Sequence, residues 1–249
     1  MENTEAAGAQ ASGMFIIIDG LDGSGKSLIV NGLAEHFKNQ GKKVFELKEF
    51  WKTSNSLPEP EELFGYDVII TAEPTYSMVG IAIRQEIIKN HNRNYSVLAT
   101  ATAFSLDRLI LYKRIIIPLL EKGKIIIQDR SVTTSIVYQP IQAEPLSLAK
   151  VLGLEGNRLA LENRPDLLII ADVNAEVCAE RLAARSDKKD NAIFENLAFQ
   201  KKAYKRFKSK WFRKLFEERG SKVVYLDADK SKQEVVNSAI KFCEEYSEN

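Results

Sequence analysis

Short apolar runs alternate along the chain with longer stretches whose apolar positions recur every three or four residues. The runs are Met14–Ile18, Val44–Leu47, Val68–Ile70, Ile125–Ile127, Leu167–Ala171 and Val223–Leu226, nearly continuous in Ile, Val and Leu. Such runs predict strands covered on both faces, and the helical stretches between them predict the βαβ rhythm of a parallel sheet. Ligands gather beyond the carboxyl ends of strands in sheets of this kind, so the residues just after the runs should carry the chemistry. YSVLATATAFSLDRLILYKRIIIPLLEKG keeps helical spacing throughout and predicts a long helix ending near Gly123. EFWKTSNSLPEPEELFGY, Glu49 to Tyr66, breaks the rhythm with prolines, acids and aromatics, and predicts an insertion loop or lid extension.

After the first run stands GLDGSGKS, Gly20 to Ser27, which fits G-x-x-x-x-G-K-[ST] between a predicted strand and a predicted helix. A polyphosphate must be wrapped by backbone N–H groups, and side chains in the loop would block its approach. Gly20, Leu21, Asp22, Gly23, Ser24, Gly25, Lys26 and Ser27 therefore read as a nucleoside triphosphate cradle. Lys26 would place a cation on the β and γ phosphates, and Ser27 would offer its hydroxyl to a magnesium ion at the helix N-terminus.

At 249 residues the chain suits one α/β domain, 14–249, after a leader, 1–13, with neither the apolar core nor the basic start of a secretory signal. Thirty-five Lys plus Arg against 34 Asp plus Glu leave a formal charge of +1, no footprint for nucleic acid or a membrane surface. Small-molecule partners fit better. Two cysteines without metal spacing, Cys178 and Cys243, suit a reducing compartment, and no apolar run approaches 18 residues, so the cytoplasm is expected.

Three further segments follow in order: TAEPTYSMVGIAIR from Thr71, AFSLDR from Ala103, and DRSVTTSIVYQ from Asp129. With the cradle they resemble the thymidylate kinases, of the nucleoside monophosphate kinase superfamily, from about Met14 to about Ile240. The resemblance implies a P-loop kinase fold: a central parallel five-stranded sheet flanked by helices on both faces, with a mobile lid. It implies ATP as donor with Mg2+, dTMP as acceptor, and a homodimer. It assigns Asp22 to the acceptor sugar, Arg84 to the acceptor phosphate, and Phe104 and Arg108 to stacking on thymine and reading its edge. Asp129 and Arg130 are assigned to magnesium and the transferring phosphoryl, and Tyr138 to exclusion of a ribose 2′-hydroxyl. Ser135 and Gln139 would line the base or sugar pocket.

Two positions depart from the family pattern: Ala72 stands where arginine is usual, and Ser131 where tyrosine is usual. Lys52, in the insertion, could replace the missing cation. The segment around 183–195 resembles the lid; Arg185 is the candidate for its charge-neutralising arginine, with Arg181, Lys188 and Lys189 as neighbours. The last strand, loop and helix resemble those against which the adenine rests. Together these features predict phosphorylation of dTMP to dTDP. The alternatives are a related deoxynucleotide or deoxynucleoside kinase, or a nucleotide-binding regulatory protein weakened in catalysis.

Overall fold

The computed structural model describes residues 13–89, 91–184, 194 and 196–247. Its strands are β1 Met14–Gly20, β2 Val44–Glu46, β3 Val68–Ala72, β4 Ile125–Asp129, β5 Leu167–Asp172 and β6 Lys222–Asp227. They form one parallel sheet in the order β2-β3-β4-β1-β5-β6. Among the described residues the sheet thus has six strands, where five were expected. Both outer apolar runs complete an edge: β2 pairs with β3 over three residues, and β6 with β5 from Leu167↔Lys222 to Asp172↔Asp227.

The helices are α1 Lys26–Asn39, α2 Leu47–Phe50, α3 Met78–Ala82, α4 Val97–Leu111, α5 Ile117–Glu121 and α6 Val132–Tyr138. After them come α7 Leu148–Gly153, α8 Glu155–Glu162, α9 Ala175–Ala183, α10 Leu197–Phe207, α11 Lys210–Glu217 and α12 Lys232–Ser247. Phe15, Ile16, Ile17 and Ile18 are all fully buried. Because successive strand residues point to opposite faces, helices must cover both sides of β1. β1 lies between β4 and β5, so its loop opens at the middle of the carboxyl edge.

The long predicted helix is present as α4, a π turn over Tyr112–Ile116, and α5. Ser96 caps its start by accepting from the Ala99 N–H at 3.1 Å. Pro118 has no N–H to donate, and the chain widens just before it, with Ile117 N–H donating to the Tyr112 carbonyl. α8 crosses α4 at Gly156, whose N–H donates to Ser105 Oγ at 3.0 Å. A Cβ at Gly156 would lie 1.9 Å from the Ser105 carbonyl oxygen, so only glycine permits this approach.

The segment from Glu49 to Tyr66 is a packed wall. Leu57 and Leu63 are buried with Trp51. Arg114, from the π turn, donates to the carbonyls of Leu57 at 2.7 Å and Pro58 at 3.0 Å. At the other end of the expected leader, Gly13 N–H donates to the Leu120 carbonyl at 3.1 Å, which joins Gly13 to the domain. The rest of that leader, 1–12, lies outside the described residues, as do 185–193 and 195 of the expected lid.

Candidate active site

β1 ends in Asp19 and Gly20, and the cradle turns from there into α1. Gly23 has φ 84°, in the left-handed region, and a Cβ on it would stand 2.5 Å from the Cys178 carbonyl of α9. A side chain is therefore excluded by backbone and neighbour together. The Lys26 ammonium curls over the loop, donating to the carbonyls of Leu21 at 2.6 Å and Gly20 at 3.2 Å. Burial, joined by the charge of Arg130, draws Lys26 below the ordinary lysine range against the pull of Asp22, Asp129 and Asp19. Ser27 is exposed in the first turn of α1, and the buried hydroxyl of Ser24 has no partner among the described residues.

Beyond the cradle lies a knot of charge. Arg130 follows β4 in the left-handed region, φ 66°, a conformation costing a non-glycine residue about 1–3 kcal/mol. It forms an ion pair with Asp22 and approaches Asp19 at 3.4 Å. Asp19 is fully buried and accepts from Gly20 N–H at 2.7 Å, from Thr134 Oγ1 at 2.8 Å and from Thr133 Oγ1. Burial raises its carboxyl above the usual range, with Arg130 and Lys26 pulling it back. Burial also works to raise Asp22, but Arg130 and Lys26 outweigh it and hold that carboxyl below the usual range. Tyr138 OH and Gln200 Nε2 both donate to Asp22 Oδ2 at 3.3 Å. Arg130 thus faces two acids of β1 and its loop rather than its neighbour Asp129, whose Oδ1 is buried without a partner among the described residues.

Phe104 and Arg108 share one face of α4, as their spacing of four predicts. Both line the same cavity as the cradle, about 1430 Å³ in volume. That exceeds the roughly 300–1,000 Å³ usual for one small ligand and leaves room for two. Arg108 is held from behind: it is 1% exposed, lies 2.5 Å from Glu73, and donates to Asn157 Oδ1 and, at 3.3 Å, to Ser135 Oγ. Burial lifts the Glu73 carboxyl to about 7, against the opposing charge of Arg108. A guanidinium wholly free to read a base edge is therefore not what the fold provides; much of Arg108 is committed to Glu73 and Asn157.

Arg84 reaches the cavity after α3, its guanidinium carbon 3.7 Å from the centroid of the Tyr76 ring. Ser135, Tyr138 and Gln139 line the same cavity, and the Tyr138 ring is fixed edge-on by Phe194 and Phe199 at 5.5 and 5.0 Å. Ala72 ends β3 on the cavity wall. Ser131 also lines the cavity, and its hydroxyl shares a hydrogen bond with the buried Tyr112 OH at 3.0 Å. Lys52 is not on the wall: it is 65% exposed and pairs with Glu49 at 2.5 Å. Arg185 lies outside the described residues; Arg181 lines the cavity and pairs with Asp229 at 3.0 Å. Leu21 contributes its carbonyl to Lys26 while its side chain is buried in the core.

Asp19, Glu73, Asn157 and Gln200 hold the site together and were not singled out from the sequence. Asp19 alone left a signal, a carboxylate closing an otherwise apolar strand in IIIDG.

The sheet and the cradle define a P-loop nucleotide-binding protein of the α/β class. A family model described as thymidylate kinase matches residues 52–239. A probable thymidylate kinase of Pyrococcus abyssi is 33% identical over 178 residues, 70% of this chain and 72% of its own. A thymidylate kinase of Caldicellulosiruptor saccharolyticus is 31% identical over 207 residues, 81% and 85% of the two chains, and one of an Exiguobacterium is 28% identical over 221, 88% and 89%. The chain belongs to the thymidylate kinase family and is, with it, a kinase.

Removing Arg108 should leave the buried Glu73 carboxyl and Asn157 Oδ1 without their partner. Arg108→Ala is expected to cost about 3–5 kcal/mol in urea unfolding, part of it recovered when Glu73→Gln is added. A single variant as stable as the wild type would contradict the pairing.

Proposed function

We propose that the protein transfers the γ-phosphoryl group of ATP to the 5′-phosphate of dTMP, giving ADP and dTDP. The observation that supports this best is one continuous cavity running from the cradle at Lys26 to the wall of Phe104, Arg108 and Tyr138. Donor and acceptor can meet there without leaving a common space. An acceptor phosphate oxygen attacks the γ phosphorus in line as the bond to ADP breaks, and no covalent enzyme intermediate is needed. Lys26 has one N–H beyond the two given to Gly20 and Leu21, and offers it to the β and γ oxygens. Arg130 keeps positive potential behind the transferring group while it orients Asp22 toward the acceptor sugar.

Ser27 and Asp129 would hold Mg2+, since the unpartnered Oδ1 of Asp129 is suited to a cation or its water. Among the described residues no group of three or more His, Cys, Asp or Glu could hold a metal ion. When bound, the ion neutralises charge on the β and γ phosphates. Closure of the 183–195 segment, with Arg185 as its arginine, would exclude water from the transfer.

Phe104 stacks on the base and Arg108 reaches its edge with the donors that Glu73 and Asn157 leave free. The Tyr138 ring, braced by Phe194 and Phe199, crowds a 2′-hydroxyl and favours the deoxy sugar. The working form is a homodimer: Leu98 and Leu106, 51% and 45% exposed, stand eight residues apart on one face of α4. The cytoplasm is the compartment, in keeping with two buried, free cysteines, Cys178 and Cys243. Among the described residues no helix is long and apolar enough to cross a membrane.

ADP release measured across the nucleoside monophosphates should be fastest with dTMP. Lys26→Met, which keeps the buried volume, should lower it by roughly a hundredfold to a thousandfold. Preference for another monophosphate would favour a related deoxynucleotide kinase, and ATP binding without ADP release would favour a regulatory protein. For the sugar, Tyr138→Ala should raise the kcat/KM of the ribose counterpart relative to dTMP, whereas Tyr138→Phe, which keeps the ring, should leave the ratio unchanged. An Ala variant with an unaltered ratio would move sugar selection to Asp22. Sedimentation velocity should show a two-chain species that Leu98→Glu with Leu106→Glu converts to a monomer; a wild-type monomer would remove the dimer.

A further inference from the structure

α8 carries none of the segments on which the family resemblance rests, yet two of its consecutive residues meet α4 one turn apart. Gly156 lies against Ser105, and Asn157 bonds Arg108. Asn157 is fully buried. An asparagine amide has a donating end and an accepting end, and the surroundings decide which end faces Arg108. Asn157 Nδ2 donates to the Val151 carbonyl at 2.6 Å, which leaves Oδ1 to accept from Arg108 Nη1. Val151 is itself fully buried in α7, so the backbone of a neighbouring helix fixes the amide. Turned over, the amide would set donor against donor at Arg108 and oxygen against oxygen at Val151.

The guanidinium is therefore gripped at both Nη atoms. Nη1 is held by Asn157 of α8; Nη2 is held by Glu73 beyond β3 at 2.5 Å and by Ser135 of α6 at 3.3 Å. Nε is buried and has no hydrogen-bond partner among the described residues. One anchored corner leaves a planar group free to turn about it, and the second anchor stops the turn.

A guanidinium has donors and no acceptor, so a base that approaches this wall must answer with an acceptor. A ring carbonyl suits it, and an exocyclic amino group does not. An arginine free to swing would move aside for the amino group at small cost. A gripped one leaves two donors facing each other in a buried place, where an unmade hydrogen bond is expensive. The sharpness of base choice then depends on what grips the arginine as well as on the arginine.

We infer that Asn157 is a positioning residue for base choice: by holding Nη1 it stops Arg108 from turning about its contact with Glu73, and so sets how strongly a base with a carbonyl at that edge is preferred to one with an amino group there. This rests on the acceptor being a nucleoside monophosphate whose base meets Arg108. dTMP and dCMP share sugar and phosphate but present a carbonyl and an amino group at that edge, whereas dUMP keeps the carbonyl and lacks only the methyl group. In the full chain, Asn157→Leu should lower the ratio of kcat/KM for dTMP to that for dCMP about tenfold to a hundredfold. The ratio of dTMP to dUMP and the KM for ATP should not change. Asn157→Asp keeps an oxygen for Arg108 but sets another against the Val151 carbonyl. It should unfold at lower urea than the wild type and still keep the wild-type ratio of dTMP to dCMP, a split that would not arise if Asn157 merely packed α8 on α4. Asn157→Ala removes the same acceptor and gives the answer if the leucine variant does not fold. An unmoved ratio, with both nucleotides losing efficiency alike, would overturn the role. If the wild type prefers a purine monophosphate, the choice of dTMP fails, and the same ratio between dGMP and dAMP decides the role of Asn157.

Discussion

Arg130 between Asp19 and Asp22 is the contact on which the rest of the site depends. Asp19 sits fully buried at the carboxyl end of the central strand, where an uncompensated carboxylate would cost several kcal/mol. Its compensation comes from across the sheet: the guanidinium that follows β4 and two threonines of α6. The left-handed backbone of Arg130 is the geometric cost of aiming that side chain back over β1. Once Arg130 is placed, Asp22 is placed, and Tyr138 and Gln200 bring α6 and α10 to the same carboxylate. The loop after β1, the turn from β4 into α6, and α10 are thus registered on one carboxylate at the mouth of the cradle.

The opposite wall follows the same logic with different partners. Glu73 beyond β3, Arg108 on α4 and Asn157 on α8 form a buried polar chain that fixes the acceptor face, and Gln128 of β4 adds a bond to Glu73 at 3.0 Å. Such networks hold a unique arrangement when their members are satisfied, and removing one member exposes the desolvation cost of the others. Charge fixed on both sides of the cavity suits phosphoryl transfer, where positioning and electrostatics do most of the catalytic work.

Elements and cradle were legible because their signals are local. The six apolar runs all became strands, and the spacing of Phe104 and Arg108 put them on one helix face. Partnerships were less legible because they span the sheet. Nothing near Arg108 in sequence announces Glu73 or Asn157, 35 and 49 positions away. Asp129 and Arg130 read as neighbours acting together, yet the turn after β4 sends Arg130 toward β1. Lys48 lines the cavity where Lys52 does not, and the difference turns on Leu47, buried at the end of a three-residue edge strand, too short a pattern to fix a register from sequence.

The glycine at the crossing of α4 and α8 sets how this cavity can change shape. With Gly156 against the Ser105 backbone, α4 cannot slide or roll toward α8 without collision. The cavity resembles a vice with one fixed jaw, which carries Phe104 and Arg108. Any adjustment to a larger or smaller acceptor must come from the other jaw, the stretch from α2 to α3 that hangs from an edge strand of three residues. Acceptor range in this protein is then a property of its most peripheral segment, and redesign of the acceptor should begin there rather than on the helix that touches the base.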